Sequence, residues 1–129
     1  APKISENIIT NTPFNIQAVN ITPIHVMHHK LPVFGFRIAD FTYITDTNAI
    51  DEKELEKIKG SKILIINALQ KKEHLSHFNL NQALVIAQQI GAEKTYFTHI
   101  SHTMGLHRSV AKELPKNVFL AYDGLTLNV

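Results

Sequence analysis

Eight histidines and Asp46 are the residues of this chain whose types and spacing could carry chemistry. The histidines form three groups along the chain: His25, His28 and His29; His74 and His77; and His99, His102 and His107. Asp46 and His99 each follow an apolar run, where strand ends converge in α/β folds. Imidazoles and a carboxylate in a chain without cysteine suit zinc, manganese or iron, and such a carboxylate can bridge two ions. A single histidine at a strand end is more often structural, so spacing alone leaves both interpretations open.

Composition and charge limit the class of protein. The chain has 129 residues, 44% of them hydrophobic and 19% charged, which is typical of one globular domain with its own core. No apolar run reaches the ~18 residues of a membrane span, and the first residues lack the form of a signal peptide. We therefore expect a soluble, cytoplasmic protein with no membrane partner. A net charge of +2, with Lys71-Lys72 as an isolated basic pair, argues against nucleic acid as a partner.

The elements that must position these residues alternate between strands and helices, which predicts an α/β fold. We expect strands over residues 15–21 and 24–27, separated at Pro23, and then a hairpin of strands 33–38 and 41–45. The later strands are predicted at 62–66, 94–98, 117–121 and 125–129. The run 62–66 is apolar throughout, which fits a central strand buried on both faces.

Three helices are predicted between these strands, and they cover 51–59, 80–90 and about 103–114. Asn79 is the expected N-cap of the second helix, and Ser101 or Thr103 that of the third. The last two strands flank Asp123-Gly124, a strong hairpin signal. Asp46, His77 and His99 all fall on connections between these elements or at their ends.

Several segments, taken in order, resemble the middle and later motifs of the metallo-β-lactamase superfamily. They are His28-His29-Lys30-Leu31-Pro32-Val33-Phe34-Gly35-Phe36-Arg37, Tyr43-Ile44-Thr45-Asp46-Thr47, His74-Leu75-Ser76-His77-Phe78-Asn79-Leu80, Tyr96-Phe97-Thr98-His99-Ile100-Ser101-His102 and Ala121-Tyr122-Asp123-Gly124. The similarity runs from about Phe14 to the end. It is greatest to the branch of metal-dependent phosphodiesterases typified by the cyclic-phosphate phosphodiesterase of phosphonate breakdown. Each segment alone is weak evidence, but the ordered set is specific.

The resemblance implies half of an αββα sandwich, with a mixed sheet and helices on one face. It also implies a metal-dependent hydrolase that cleaves a small phosphodiester-type substrate by means of a dinuclear-metal hydroxide, with zinc, manganese or iron as the metal. It makes His28 a ligand of the first metal, Asp46 the carboxylate that bridges both metals, and His99 a ligand of the second. His77 becomes a catalytic histidine near the leaving group, together with Asp46 as the second catalytic residue. No other cofactor is implied.

Two neighbouring histidines compete for roles in this assignment. His28 is preferred to His29 because it keeps the family's distance to Gly35. His102, three residues after His99, could orient a ligand instead of binding the metal itself. The sequence alone excludes neither a metal-binding His29 nor a metal-binding His102.

The superfamily's signature, His-x-His-x-Asp-His, occurs nowhere in the 129 residues. We therefore expect residues 1–129 to be the carboxy-terminal half of a hydrolase domain, inactive alone, whose inner sheet face is covered by the missing amino-terminal half or by a second copy in a homo-oligomer. Two alternatives remain open. The chain could be a non-catalytic α/β half-domain that assembles with a partner chain, or the same fold could hydrolyse a thioester, a lactone or RNA.

Overall fold

A computed structural model describes all 129 residues of the chain. The elements are β1 (Phe14–Ile16), β2 (Val19–His28), β3 (Leu31–Ile38), β4 (Phe41–Ile44), α1 (Glu52–Ile58), β5 (Ile63–Asn67), α2 (Leu80–Ile90), β6 (Lys94–Thr98), α3 (His107–Ala111) and β7 (Val118–Leu120). A 3₁₀ turn over His102–Met104 precedes α3. The seven strands form one sheet in chain order, β1 to β7.

The strand directions bring several carboxyl ends to one edge of the sheet. Neighbours from β1 to β4 are antiparallel, whereas β4, β5, β6 and β7 are parallel to one another. Because two antiparallel pairings separate β2 from β4, β2 also runs in the direction of the parallel strands. The segments that follow β2, β4, β5 and β6 therefore meet at a common edge, which we call the carboxyl edge.

One face of the sheet is covered by the helices and forms the core. The register places Ile44, Ile66 and Phe97 side by side across β4, β5 and β6, and all three are fully buried. They belong to one cluster with Ala83 and Ala87 of α2. Removing each of the large side chains from water contributes roughly 1.5–3 kcal/mol. This face explains why the strands alternate between buried and partly exposed positions.

Gly35 on β3 allows the sheet to pack closely beside the core. A Cβ atom built on Gly35 would lie 2.6 Å from Cγ1 of Ile44 and 3.0 Å from the carbonyl oxygen of Tyr43. A larger residue would push Ile44 away, although Ile44 is fully buried and lies two positions before Asp46. The absence of a side chain at Gly35 is therefore part of what positions the end of β4.

The opposite face of the sheet, which we call the bare face, is apolar but has no layer on it. Register and alternation assign to it the side chains of Phe34, Phe36, Ile38, Phe41, Tyr43, Ile63, Ile65, Tyr96 and Phe119. None of them is buried, and Tyr43 and Phe119 are 41% and 38% exposed. The sequence predicted an apolar face built from alternate residues of 33–38 and 62–66. The strand at 62–66, however, is covered on one side only, not on both.

Several predicted elements are confirmed. The hairpin of β3 and β4 is present, and α1 and α2 lie where their sequence signals put them. The side chain of Asn79 accepts a hydrogen bond from the backbone N–H of Gln82, and the Gln82 side chain accepts one from the Asn79 backbone, so the N-cap is a full capping box. Gly91 ends α2 in the left-handed conformation, with φ 67°. The mixed sheet with helices on one face is the architecture expected for the family.

The prediction for the first strands was wrong in two respects. Residues 15–21 are not one strand, because a turn at Gln17 and Ala18 folds β1 back onto β2. Pro23 does not interrupt the chain but lies inside β2, paired with Phe36. The backbone N–H of His25, two residues later, faces the same side of β2 as the nitrogen of Pro23. It donates to the Glu54 side chain of α1 and not to β3. A proline two positions earlier therefore removes no hydrogen bond of the sheet.

The prediction for the carboxy-terminal segment was also wrong. Ser101 does act as a cap, but the helix it caps is the short 3₁₀ turn, which ends at Gly105 with φ 116° before α3 begins. Residues 125–129 form no strand, so Asp123-Gly124 is a turn without a hairpin. β7 instead pairs with β6 in parallel. No helix of the structure combines the length and apolar character needed to cross a bilayer.

Candidate metal centre

Four of the predicted site residues meet at the carboxyl edge. His28 is the last residue of β2, Asp46 lies shortly after β4, and His99 directly follows β6. His77 lies on the connection between β5 and α2, just before the Asn79 cap. The sheet topology, not the spacing along the chain, brings these residues together.

Asp46 is the point on which the imidazoles converge. Nε2 of His77 lies 3.0 Å from Oδ1 of Asp46, and Nε2 of His99 lies 3.2 Å from the same oxygen. The ring of His77 contacts both other imidazoles, with centroids 4.8 Å from that of His28 and 4.8 Å from that of His99. His28, Asp46 and His77 each offer a ligand atom, and these atoms lie within 4.8 Å of one another.

The donor set and its spacing fit a divalent ion of the zinc or manganese type. Two ligand atoms that share an ion at ~2.1 Å in tetrahedral geometry lie roughly 3.4 Å apart. The 3.0 and 3.2 Å separations at Asp46 are close to that distance. The Asp46 and His99 side chains are 45% and 43% exposed, whereas that of His77 is 11% exposed. His77 was expected beside the metal ligands and not among them. Its Nε2 lies as close to Asp46 as that of His99 does, so the distances allow either imidazole to bind an ion next to Asp46.

Burial governs the protonation of His77. Desolvation lowers the pKa of His77, and the nearby His99 and His28 lower it further, while the hydrogen bond with Asp46 opposes the shift. A carboxylate only accepts hydrogen bonds, so the neutral ring carries its proton on Nε2 and donates it to Asp46. Nδ1 then accepts from the hydroxyl of Ser76 at 3.0 Å. The ring is thus held on both sides.

The backbone is strained at the site. Asp46 and His99 both have φ 56°, in the left-handed region that few non-glycine residues adopt. Such conformations cost of order 1–3 kcal/mol each and persist only where neighbouring contacts impose them. At both positions the chain leaves a strand and turns its side chain toward the carboxyl edge.

A buried polar pair behind Asp46 was missed by the sequence reasoning. The backbone N–H of Thr47 donates to Oδ1 of Asn67 at 2.9 Å, and Nδ2 of Asn67 donates to the carbonyl oxygen of Thr47 at 2.9 Å. Both residues are fully buried. The signal available in the sequence was a polar residue, Asn67, that ends the apolar run 62–66. A buried amide at the end of a central strand needs partners, and here they are main-chain groups beside Asp46.

The remaining histidines are not joined to Asp46 by any hydrogen bond or ion pair. His25 packs edge-on against Phe34, and the backbone N–H of His29 donates to Asn48 at 2.7 Å. His74 reaches the site indirectly, with Nδ1 3.2 Å from Nδ1 of His77. His102 and His107 are exposed on the 3₁₀ turn and α3.

Comparison with known proteins assigns the family. A family model described as a β-lactamase superfamily domain matches residues 4–100. The chain therefore belongs to the β-lactamase superfamily. Its fold is the metallo-β-lactamase fold that the sequence motifs predicted, and the predicted branch is supported by the structures that resemble it. Members of this superfamily are generally hydrolases.

Three similar proteins illustrate the range of the family. A crystal structure of a diphosphatase from the PhnP family superposes on 94% of this chain with a TM-score of 0.91 and 32% identity, and the match covers 47% of that chain. The zinc-bound PqqB from Methylobacterium extorquens shares the fold over 96% of this chain and 55% of its own, with a TM-score of 0.76 and 15% identity. An octanoyltransferase from Porphyromonas gingivalis is 35% identical over 114 residues, which are 88% of this chain and 23% of that protein. The chain thus spans about half of the similar diphosphatase and less than a quarter of the similar octanoyltransferase.

Proposed function

We propose that this chain contributes to a two-metal centre that hydrolyses a small phosphodiester-type substrate. The observation that carries the proposal is the convergence of His77 and His99 on one oxygen of Asp46, at 3.0 and 3.2 Å, beside His28. The similarity to a diphosphatase of the PhnP family, with a TM-score of 0.91, supports hydrolysis at phosphorus. The imidazoles and the carboxylate of the site suit divalent ions, and the similarity to a diphosphatase supports an anionic substrate.

The chain's own residues divide into metal-holding and proton-moving groups. His28 would hold the first ion, His99 the second, and Asp46 both, because its two oxygens can bind separate cations. Zinc or manganese bound there would lower the pKa of water and polarise the phosphoryl group. His77 would give the proton on Nε2, the ring nitrogen that lies 3.0 Å from Asp46, to the departing oxygen.

The proposal extends to the rest of the metal ligands. We propose that an amino-terminal part of the complete protein covers the bare face and supplies them, with residues 1–129 as the carboxy-terminal half of the domain. Two observations support this: the bare face is apolar yet none of the side chains assigned to it is buried, and the chain corresponds to 47% of the similar diphosphatase. A contiguous apolar surface of more than a few hundred Å² is rarely left uncovered on a soluble monomer.

The test is turnover by the complete natural protein with added Mn²⁺ or Zn²⁺. The substrates are bis(p-nitrophenyl) phosphate, a nucleoside diphosphate derivative and an octanoyl thioester. We expect a phosphorus substrate to be cleaved in a metal-dependent manner, with Asp46→Ala inactive and Asp40→Ala unchanged, since Asp40 is exposed at the far end of the sheet in an ion pair with Lys62. Equal rates with and without metal, or in Asp46→Ala, would refute the proposal. The absence of both turnover and metal binding would favour a non-catalytic half-domain.

Acyl hydrolysis is the second candidate function. It is favoured by the 35% identity to a protein called an octanoyltransferase. The matched part is only 23% of that protein, so its name describes a chain that is mostly outside the match. Cleavage of the octanoyl thioester that needs both metal and Asp46, with no cleavage of the phosphorus substrates, would support this candidate over the first.

A further inference from the structure

We infer that Asn67 is a positioning residue for the metal centre, which sets the orientation of Asp46 and, through Thr47, that of His77. The inference rests on the proposed metal-binding function of Asp46. Asn67 itself lies behind the site, and its side chain hydrogen-bonds to Thr47 and to none of the three imidazoles. It would therefore act on metal affinity through the backbone that carries the ligands.

The side chain of Asn67 continues the pairing of β4 with β5 beyond the point where the backbone ladder ends. The last backbone pair between these strands is Ile44 with Ile66. One residue further along β5, the amide of Asn67 accepts from the N–H and donates to the carbonyl of Thr47, both at 2.9 Å. Two hydrogen bonds of opposite sense define the position and the rotation of that peptide segment. The two residues that lie between the backbone pairing at Ile44 and the side-chain pairing at Thr47 are Thr45 and Asp46.

This arrangement accounts for the strained backbone of Asp46. Its φ of 56° takes the chain out of the strand, and the segment would relax unless the next residue were held. Thr47 is held by Asn67, and its hydroxyl lies 2.9 Å from the carbonyl oxygen of Met27. The carboxylate of Asp46 is therefore presented by a fixed backbone even though the side chain is about half exposed.

Thr47 also connects two other members of the site, His77 and His28. Its carbonyl oxygen accepts from the N–H of Phe78 at 2.8 Å, and Phe78 directly follows His77. The Thr47 hydroxyl donates to the carbonyl oxygen of Met27, and Met27 directly precedes His28. Movement at Thr47 would thus displace Asp46, His77 and His28 relative to one another. The Asn67 side chain fixes Thr47 because it hydrogen-bonds to both the backbone N–H and the carbonyl oxygen of Thr47.

A purely structural role would produce a different result. Loss of any buried hydrogen-bonded pair destabilises the fold, but only a positioning residue lowers metal affinity in the protein that still folds. Groups that orient metal ligands from outside typically change affinity by about 10- to 100-fold when removed. Thr42 offers a matched control, because it is fully buried and its hydroxyl lies 2.7 Å from that of Ser61, at the opposite end of β4 from Asp46.

The experiment measures Zn²⁺ affinity by competition with a chromophoric chelator, on the complete natural protein stripped of metal. The variants are Asn67→Ala, Asn67→Asp, Thr42→Val and Asp46→Ala, and near-ultraviolet circular dichroism checks that each is folded. We expect both Asn67 variants to bind Zn²⁺ about 10- to 100-fold more weakly. Thr42→Val should lose thermal stability but keep the affinity of the unaltered protein.

The outcomes separate this inference from the proposed function. If the unaltered protein binds no Zn²⁺, or Asp46→Ala binds it equally well, the proposed function fails and the role of Asn67 fails with it. If Asp46→Ala loses Zn²⁺ while folded Asn67→Ala retains full affinity, only the inference is overturned. Equal weakening in Thr42→Val would overturn it too. So would failure of both Asn67 variants to fold when Thr42→Val folds, since Asn67 would then be needed for folding and not for positioning.

Discussion

Nε2 of His77 lies 3.0 Å from Oδ1 of Asp46, a residue 31 positions earlier in the chain. A second bond, from the backbone N–H of Phe78 to the carbonyl of Thr47 at 2.8 Å, joins the residues that follow them. The side-chain contact is therefore backed by a main-chain contact one residue away. Because Asp46 lies just after β4 and His77 lies on the connection between β5 and α2, the two contacts fix this connection to the end of β4.

Asp46→Ala should abolish metal binding and activity in the complete protein. Asp46 is the one carboxylate in contact with two imidazoles of the site, so its removal takes a shared ligand from both proposed ions. Metal content by mass spectrometry and turnover of a phosphodiester check the prediction. Asp40→Ala serves as the control, and it should retain both metal and activity. Retention of two metals per molecule by Asp46→Ala would show that the ligand assignment is wrong.

His28 and His29 can be separated by substitution. His28→Ala should lower Zn²⁺ affinity, because the His28 ring borders that of His77 at 4.8 Å. His29→Asn should not, since the His29 side chain is exposed and asparagine tolerates its φ of 56°. Chelator competition measures both affinities. A result in which His29→Asn weakens binding and His28→Ala does not would reverse the assignment.

His77→Ala should keep the metals and slow turnover by about 10²- to 10⁴-fold, the range for loss of a general acid or base. The reason is that His77 is held by Asp46 on one side and Ser76 on the other, which suits proton delivery in a fixed direction. Steady-state kinetics and metal content are measured together, with the exposed His107→Ala as the control. Loss of metal in His77→Ala would instead make His77 a ligand, in keeping with its distance to Asp46.

The sequence predicted the central part of the fold well because its signals are local. Asn79 and Gly91 cap the two ends of α2, and the hairpin of β3 and β4 follows from two adjacent β-rich runs. Pro23 was misjudged because the cost of a proline in a strand depends on which side its missing N–H would face. That side is set by α1, whose Glu54 lies 29 residues after His25. Such non-local partners leave no trace in a short window of sequence.

The candidate site was predictable in its residue types but not in its contacts. Asp46 and His99 were recognisable as polar residues that follow apolar runs, and the structure brings them to 3.2 Å. Asn67 stood out only as a polar residue at the end of an apolar run, and its role could not be predicted because it depends on a pairing with Thr47, 20 residues earlier. The close approach of His77 to Asp46, which makes it a rival ligand, likewise requires three-dimensional distances.

Glu54 should make stability depend on pH in the acidic range. Burial alone would raise its pKa, but hydrogen bonds from Lys57, Asn11 and the backbone of His25 outweigh burial and lower the pKa below the usual value of 4.5. A lowered folded-state pKa means that the contribution is complete above pH 4.5 and is lost as the pH falls through the lowered value. Thermal unfolding from pH 7 to pH 3 checks this.

Glu54→Gln is the matching substitution. At pH 7 it should cost roughly 1–3 kcal/mol, because it weakens charge-assisted bonds to a side chain that is 10% exposed. The acid-induced loss of stability should become shallower. Glu52→Gln, at an exposed position of the same helix, should change stability by less than about 0.5 kcal/mol. Identical pH profiles for Glu54→Gln and the unaltered chain would contradict the assigned role of Glu54.

The bare face should make the 129-residue chain associate when it is expressed alone. Tyr43 and Phe119 are 41% and 38% exposed on this apolar surface, and burying it against another surface is favourable by about 25 cal/mol per Å². We expect the chain alone to bind a hydrophobic dye and to scatter light as a species larger than 14.6 kDa. The complete protein should bind far less dye, because the proposed amino-terminal part would cover the face.

Lysine substitutions show which surface of the isolated chain causes its association. Tyr43→Lys with Phe119→Lys should reduce both dye binding and association of the isolated chain, since two charges would then lie in the apolar surface. Val85→Lys is the control, because Val85 is 54% exposed on α2, on the helical side of the sheet, and its replacement should change neither quantity. A stable monomer of the isolated chain that binds no dye would mean that the bare face needs no cover. Reduced association in Val85→Lys alone would place the contact on the helices instead.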